Sequence, residues 1–316
     1  MNSDDDVELG DNKEFNLKAV HIAATVCHFL LAAWTLTEYV ILGTDWSIPV
    51  TTSYLTWAKR DESFGCGDAV TGTGTVNGTG TVYGTGTGNC FVRRENKVFD
   101  NFRDISLTEL VIAFHVLSFV WQAIVLIFPT AWKYYYAQVI EGRNSFRWLE
   151  YSLSAPLMTI VIAVLLGQID VVVLYLLAVC TWVLMGLGYL QETQRIVVRE
   201  VKENVSSTTR SLVPHRLGWG LFFFQWLSLG FSFYLSLSLS EAKPPSRILP
   251  IVYSVYFIML TLYASFGVVQ AIHMKWGMNV SVELAYTVLS LVSKTTLGVL
   301  LYLGIRARDG LNLGIE

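Results

Sequence analysis

A chain of 316 residues that is 53% hydrophobic and only 15% charged is not composed like a water-soluble domain, in which about a quarter of residues carry charge. The net charge of −3 comes with no basic cluster interleaved with aromatics, which excludes a nucleic-acid partner. The mean hydropathy is +0.47, and the apolar residues fall into long runs of the roughly 20 residues that an α-helix needs to cross hydrocarbon.

Residues 1–17 are acidic and polar, the opposite of the basic start of a cleavable signal. Seven spans are predicted: 18–43, 104–128, 147–167, 169–191, 215–240, 248–273 and 279–305. The first holds Cys27, His28 and Glu38. A long loop, 44–103, follows, with Cys66 and Cys90 on either side of the repeat TGTGTVNGTGTVYGTGTG. Its alternation fits a β-ribbon with a hairpin signal at Asn77-Gly78, and its many glycines fit a loose tract equally well. Asn77-Gly-Thr is also a glycosylation sequon. The second span carries Glu109 and His115, the third Arg147, Glu150 and Pro156, and the fourth Cys180 and Glu192. Pro156 predicts a kink. The seventh carries Glu283, Ser290 and Lys294.

Lys and Arg gather on short cytoplasmic loops. Eleven fall on the N-terminal side, from Lys13 to Lys275, and four on the other (Lys243, Arg247, Arg306, Arg308) once the long first loop is discounted. This balance predicts a cytoplasmic N-terminus and an extracellular first loop, where a Cys66–Cys90 disulfide is a candidate.

Lys294 sits mid-span, where a charge costs about 2.5–3.5 kcal/mol on insertion scales, so a function and a partner are expected for it. A lysine amine in a dry pocket condenses with an aldehyde to a Schiff base. The alternative is a structural lysine paired with a carboxylate or lining an aqueous cavity. Ser290 stands one turn earlier on the same face. Glu150 is the candidate counter-charge, and the competing reading pairs it with Arg147 at i,i+3.

R-W-x-E-Y-S-x-S-A at 147–155 and L-S-L-V-x-K at 289–294, taken together, resemble the heliorhodopsins, an inverted branch of the microbial rhodopsins. The resemblance implies an all-α seven-transmembrane-helix rhodopsin bundle with a cytoplasmic N-terminus, as the loop charges do. It implies all-trans-retinal on Lys294, with Glu150 as the Schiff-base counterion and Ser290 hydrogen-bonded to the nitrogen. It further implies a retinal pocket of Tyr151, Ser154, Met158, Tyr263 and Phe266, a polar cluster with His28 and His115, and a homodimer. Pro156 departs from the small polar residue frequent at that place, and the Thr/Gly repeat is not a family hallmark. The expected layout is a cytoplasmic tail (1–17), a retinal-binding domain (18–305) that includes the extracellular loop 44–103, and an extracellular tail (306–316).

Two functions follow. One is a photoreceptor that signals to or regulates an unknown downstream partner, since the third span lacks the carboxylate series of a pump. The other is a light-gated passive proton conductance, with Glu38, Glu192, His28 and His115 as a relay on both sides of the Schiff base. An unrelated seven-helix receptor should carry Asp-Arg-Tyr and Asn-Pro-x-x-Tyr, and neither is present; a transporter should show an inverted repeat. There is no metal-ligand spacing and no nucleophile elbow, so an enzyme is not expected.

Overall fold

The computed structural model describes residues 3–41, 43, 46–59, 74–76, 80–84, 90–99, 104–202, 212–239, 248–276 and 279–312. In chain order the elements begin with α1 (Ser3–Ile41), β1 (Ser47–Ile48), β2 (Thr52–Lys59), β3 (Gly74–Val76), β4 (Gly80–Gly84), β5 (Cys90–Phe99) and β6 (Ile105–Ser106). The helices α2 (Leu107–Ile127), α3 (Pro129–Glu141), α4 (Ser145–Leu165), α5 (Val171–Lys202), α6 (Val213–Ser238), α7 (Leu249–Trp276) and α8 (Asn279–Asn312) complete the chain.

The chain divides into two units. The larger comprises Met1–Ile48, Ser106–Gln168 and Val173–Glu316, and contains the helices. Among the described residues seven helices are long and apolar enough to cross a membrane: all of the eight except α3. With hydrocarbon on all sides there is no water to drive helices together, so close packing and polar contacts hold such a bundle. Tight approach is visible where Gly267 on α7 meets Trp219 on α6: a Cβ there would lie 2.7 Å from the indole.

Three features differ from the sequence reading. The stretch between the second and third spans is not a loop but the helix α3. Pro129 starts it where an N–H would have no partner anyway, and Gly142 ends it at φ 88°. At 13 residues it is too short to span; it packs Trp132, Tyr135 and Val139 against Leu17 and Val125. The expected acidic tail is helical from Ser3 onward, and its end is anchored: Leu17 is fully buried, and Trp132 Nε1 donates to Glu14 at 2.8 Å. At the other end α8 runs to Asn312, so the stretch from 306 opens as helix rather than as a tail. Pro156 is accommodated within α4, which continues through it from Ser145 to Leu165.

The smaller unit comprises Pro49–Ile105 and Ile169–Val172. Its four strands form an antiparallel sheet in the order β2-β5-β4-β3, with Thr75 opposite Thr81 in the β3–β4 ribbon of the repeat. The Asn77-Gly78 turn signal, the sequon and the Cys66–Cys90 pairing lie outside the described residues.

Two glycines separate conformational need from mere composition. Gly167 has φ 89°, and a Cβ on it would lie 2.5 Å from Ser236 Oγ. Gly167→Ala is expected to destabilise by about 1–2 kcal/mol or more, from the left-handed backbone alone. Gly186 lies inside α5 with no atom within 4 Å of its would-be Cβ, so Gly186→Ala is expected to be neutral or to stabilise by up to about 1 kcal/mol. Thermal unfolding of the two variants in detergent checks the contrast.

Candidate functional site

Lys294 is 1% exposed, and its ammonium has three N–H groups to place. It donates to Glu150 Oε1, to Ser118 Oγ at 2.6 Å and to Ser290 Oγ at 3.1 Å. Each donor is used, and the charge is paired, which is the condition on which a buried ion persists. Glu150 is held in turn from two directions. Ser154, four residues on along α4, donates to its Oε1 at 3.1 Å, and Ser118 on α2 lies 2.7 Å from the same oxygen. Ser118 therefore touches both members of the ion pair, while its alternative acceptor is the Phe114 carbonyl at 2.9 Å. The Tyr151 ring presents its face to Lys294 Nζ at 5.5 Å.

Sequence reasoning named Lys294, Glu150, Ser290, Ser154 and Tyr151, and the fold brings all five together. It missed Ser118. The only signal was its place three residues after His115, on the same helix face.

A cavity opens beside Lys294 among α4, α5, α6, α7 and α8. Tyr151, Ser154, Met158, Tyr263 and Phe266 all line it, with Trp219 and Phe222 from α6. Gly188, Gly218 and Gly267 also line it, their lack of side chains leaving space in an otherwise aromatic wall. The chemistry of this set suits a long apolar molecule ending in an electrophile that Lys294 can reach: rings and methionine along the walls, one amine, and an anion ready beside it.

The competing partner for Glu150 is ruled out by geometry. Arg147 turns the other way, to Glu192 on α5 and Glu283 on α8, and its guanidinium lies 4.0 Å from the Tyr286 ring centroid. Around these charges Asn144 Nδ2 and Tyr135 OH donate to Glu283 at 2.7 and 3.1 Å, and Trp148 Nε1 donates to Glu192 at 2.8 Å. Asn144 also caps α4, accepting from the Arg147 N–H at 3.0 Å. Burial, then the Glu283 charge, push the Tyr135 phenol well above its ordinary value, so it stays a donor. A second, smaller cavity lined by Glu150, Ser290, Thr287, Glu283, Asn144 and Arg147 joins this cluster to the Lys294 site.

The four residues read as a relay on both sides of the Schiff base are in three places. His28 and His115 face each other, Nδ1 to Nδ1 at 3.1 Å, both buried. Glu192 belongs to the Arg147 cluster, and Glu38 pairs with Arg306 at 3.4 Å near the far end of α8. The long helices carry these groups at different depths, which spacing along the chain does not reveal. Glu192 and Glu283, near the ends of their apolar runs, are buried at 3% and 4% exposure.

The sequence model of one protein family, Heliorhodopsin, matches residues 81–305, more than half of the chain. No curated protein matches. Among solved structures the chain is similar to the rhodopsin of Exiguobacterium sibiricum, at 15% identity and a TM-score of 0.50 over 65% of this chain and 84% of that one. It is also similar to xanthorhodopsin, described as a light-driven ion pump with dual chromophore, at 17% identity and a TM-score of 0.42 over 66% and 91%. At such identities the likeness of the first speaks for the fold alone.

The Arg147 cluster predicts an asymmetry between two neighbouring arginines. Arg147→Met leaves two buried carboxylates without their cation and is expected to cost about 3–5 kcal/mol. Arg143 pairs with exposed Glu141, and Arg143→Ala is expected to cost at most about 1 kcal/mol. Denaturation midpoints of the two variants decide between these magnitudes.

Proposed function

The chain belongs to the heliorhodopsin family, and on that premise we propose that it is a retinal photoreceptor in which all-trans-retinal is bound to Lys294 as a protonated Schiff base. Its photocycle serves signalling or regulation of a partner rather than pumping. The observation that carries this reading is the buried Lys294 with Glu150, Ser118 and Ser290 around its nitrogen, on the wall of a largely aromatic cavity.

Bound there, retinal would supply the chromophore and its light-driven isomerisation. The protein supplies the rest. Glu150 is the anion that keeps the nitrogen charged, and Ser154 keeps Glu150 in place. Ser118 and Ser290 offer the nitrogen oxygens to bond, and Ser118 also bridges to Glu150. Tyr151, Met158, Tyr263 and Phe266 are the walls that confine the polyene. The loop charges orient the N-terminus to the cytoplasm, and the assembly we propose is the homodimer of the family, in a cell membrane.

A second reading is a light-gated passive proton conductance. The smaller polar cavity favours it, since it links Glu150 to Glu283 and the Arg147 cluster on one side of Lys294. On the other side the His28–His115 pair is followed along α2 and α8 by buried Val111, Leu107, Leu301 and Ile305 before Glu38 and Arg306 are reached. Among the described residues this stretch holds buried Thr108 but no buried carboxylate between His115 and Glu38, which supports sensing over conduction.

Purified protein supplied with all-trans-retinal is expected to show a visible absorption band, and Lys294→Ala to show none; a visible band in that variant would overturn the assignment. Glu150→Gln is expected to shift the band at neutral pH into the near ultraviolet, because the nitrogen loses its counterion and with it its proton. Voltage clamp under illumination is expected to record no current. Photocurrents that reverse with the membrane potential would transfer the conclusion to the second reading.

A further inference from the structure

Three polar side chains meet in the middle of the bundle, away from the Lys294 site. Thr159 on α4, Thr181 on α5 and Gln225 on α6 are 2%, 0% and 6% exposed, and all lie well inside their apolar spans. Polar groups at that depth are costly unless satisfied within the protein, and they find their partners across three helices. Thr159 Oγ1 and Thr181 Oγ1 are 2.9 Å apart, and either can be the donor. Gln225 Nε2 donates to Thr181 Oγ1 at 2.6 Å.

The proton count gives this trio two states. Each hydroxyl has one hydrogen. Thr159 is 3.0 Å from the Ala155 carbonyl, and Thr181 is 3.0 Å from the Leu177 carbonyl, which Gln225 Nε2 also approaches at 3.4 Å. The two hydrogens therefore face three acceptors: the two carbonyls and the bond between the hydroxyls. In one state Thr159 bonds Ala155 and Thr181 bonds Thr159. In the other Thr181 bonds Leu177 and Thr159 bonds Thr181.

The chromophore cavity touches this choice directly. Ala155 and Tyr263 both line it, and the Tyr263 hydroxyl lies 3.5 Å from the Ala155 carbonyl. That carbonyl has two lone pairs, one of which the helical N–H of Thr159 occupies. Tyr263 and the Thr159 hydroxyl thus compete for the other. A displacement of Tyr263 towards Ala155 releases Thr159 to Thr181, and Thr181 to Leu177 on α5.

Resting on the retinal reading of the cavity, we propose that Thr159 and Thr181, braced by Gln225, form a two-state hydroxyl relay. It couples displacement of Tyr263 to the packing of α4 on α5 and α6, and sets how fast the light-driven state returns. These are positioning residues, acting through Tyr263 and the helix carbonyls.

The test uses the full chain with Thr159→Val, Thr181→Val, Thr181→Ser and Gln225→Leu. Without retinal, Thr159→Val on α4 is expected to speed amide hydrogen exchange on α5 around Leu177–Thr181 by roughly two- to tenfold, the span that one hydrogen bond allows. With retinal, Thr181→Val is expected to leave the dark spectrum in place and slow recovery after a flash by a similar factor. Thr181→Ser should restore the wild-type rate. The double Thr159→Val/Thr181→Val variant should be no slower than either single one, because both remove the same bond. If Thr181→Val does not fold, Gln225→Leu, which keeps both hydroxyls, carries the kinetic comparison and is expected to slow recovery. Unchanged exchange, unchanged recovery or additive effects in the double variant overturn the relay while the visible band stands. A wild-type protein with no visible band overturns the retinal reading, and this proposal with it.

Discussion

An ammonium group in the middle of a membrane helix has to be paired, and the pairing of Lys294 with Glu150 organises what surrounds it. Lys294 comes from α8 and Glu150 from α4, so the charge pair ties together two helices far apart in sequence. Ser118 brings in α2 by touching both charges, and Ser154 and Ser290 complete the shell from the same helices that carry the ions. In a low-dielectric interior such a pair is stable only when every remaining donor is satisfied, and here three acceptors meet three N–H groups. The cavity that opens beside it is consequently one with a fixed nucleophilic end and an apolar body.

The same rule, applied a second time, explains the Arg147 cluster. One guanidinium lies between two carboxylates from α5 and α8, with Asn144, Tyr135 and Trp148 filling out their hydrogen bonds. Its fork geometry suits two carboxylates at once, which an ammonium would not match. Because Arg147 is committed there, Glu150 is left to Lys294 alone. Two ion clusters one turn apart on α4 thus divide the charges between them, and the polar cavity between them is the result. On the opposite side no buried carboxylate follows His28 and His115 among the described residues, so the ionisable groups around Lys294 are unevenly distributed.

Much of this was legible in the order of residues. Seven apolar runs predicted seven spans, because a helix has to present about 20 apolar residues to hydrocarbon wherever it crosses. Lys294, Glu150 and Ser290 stood out because a polar group inside such a run is expensive and so is rarely idle. Spacings of four along one helix placed Ser290 beside Lys294 and Ser154 beside Glu150. The helix α3 was not legible: a 13-residue amphipathic segment has too little apolar length to register as a span, and its aromatic face acquires meaning only against Leu17 and Val125.

What the sequence by itself determined, then, is which residues must be explained: helix count, a lysine in mid-span, a carboxylate inside the third span, and the family to which the motifs point. What only the tertiary structure decided is who meets whom between helices. Arg147 going to Glu192 and Glu283, Ser118 bridging the ion pair, Glu38 parting from Glu192 to join Arg306, and Thr159 meeting Thr181 and Gln225 all depend on the rotation and depth of neighbouring helices. Periodicity within one helix specifies which side chains share its face. It carries no information on the height at which that face meets another, because helix depth and rotation follow from the packing of the whole bundle.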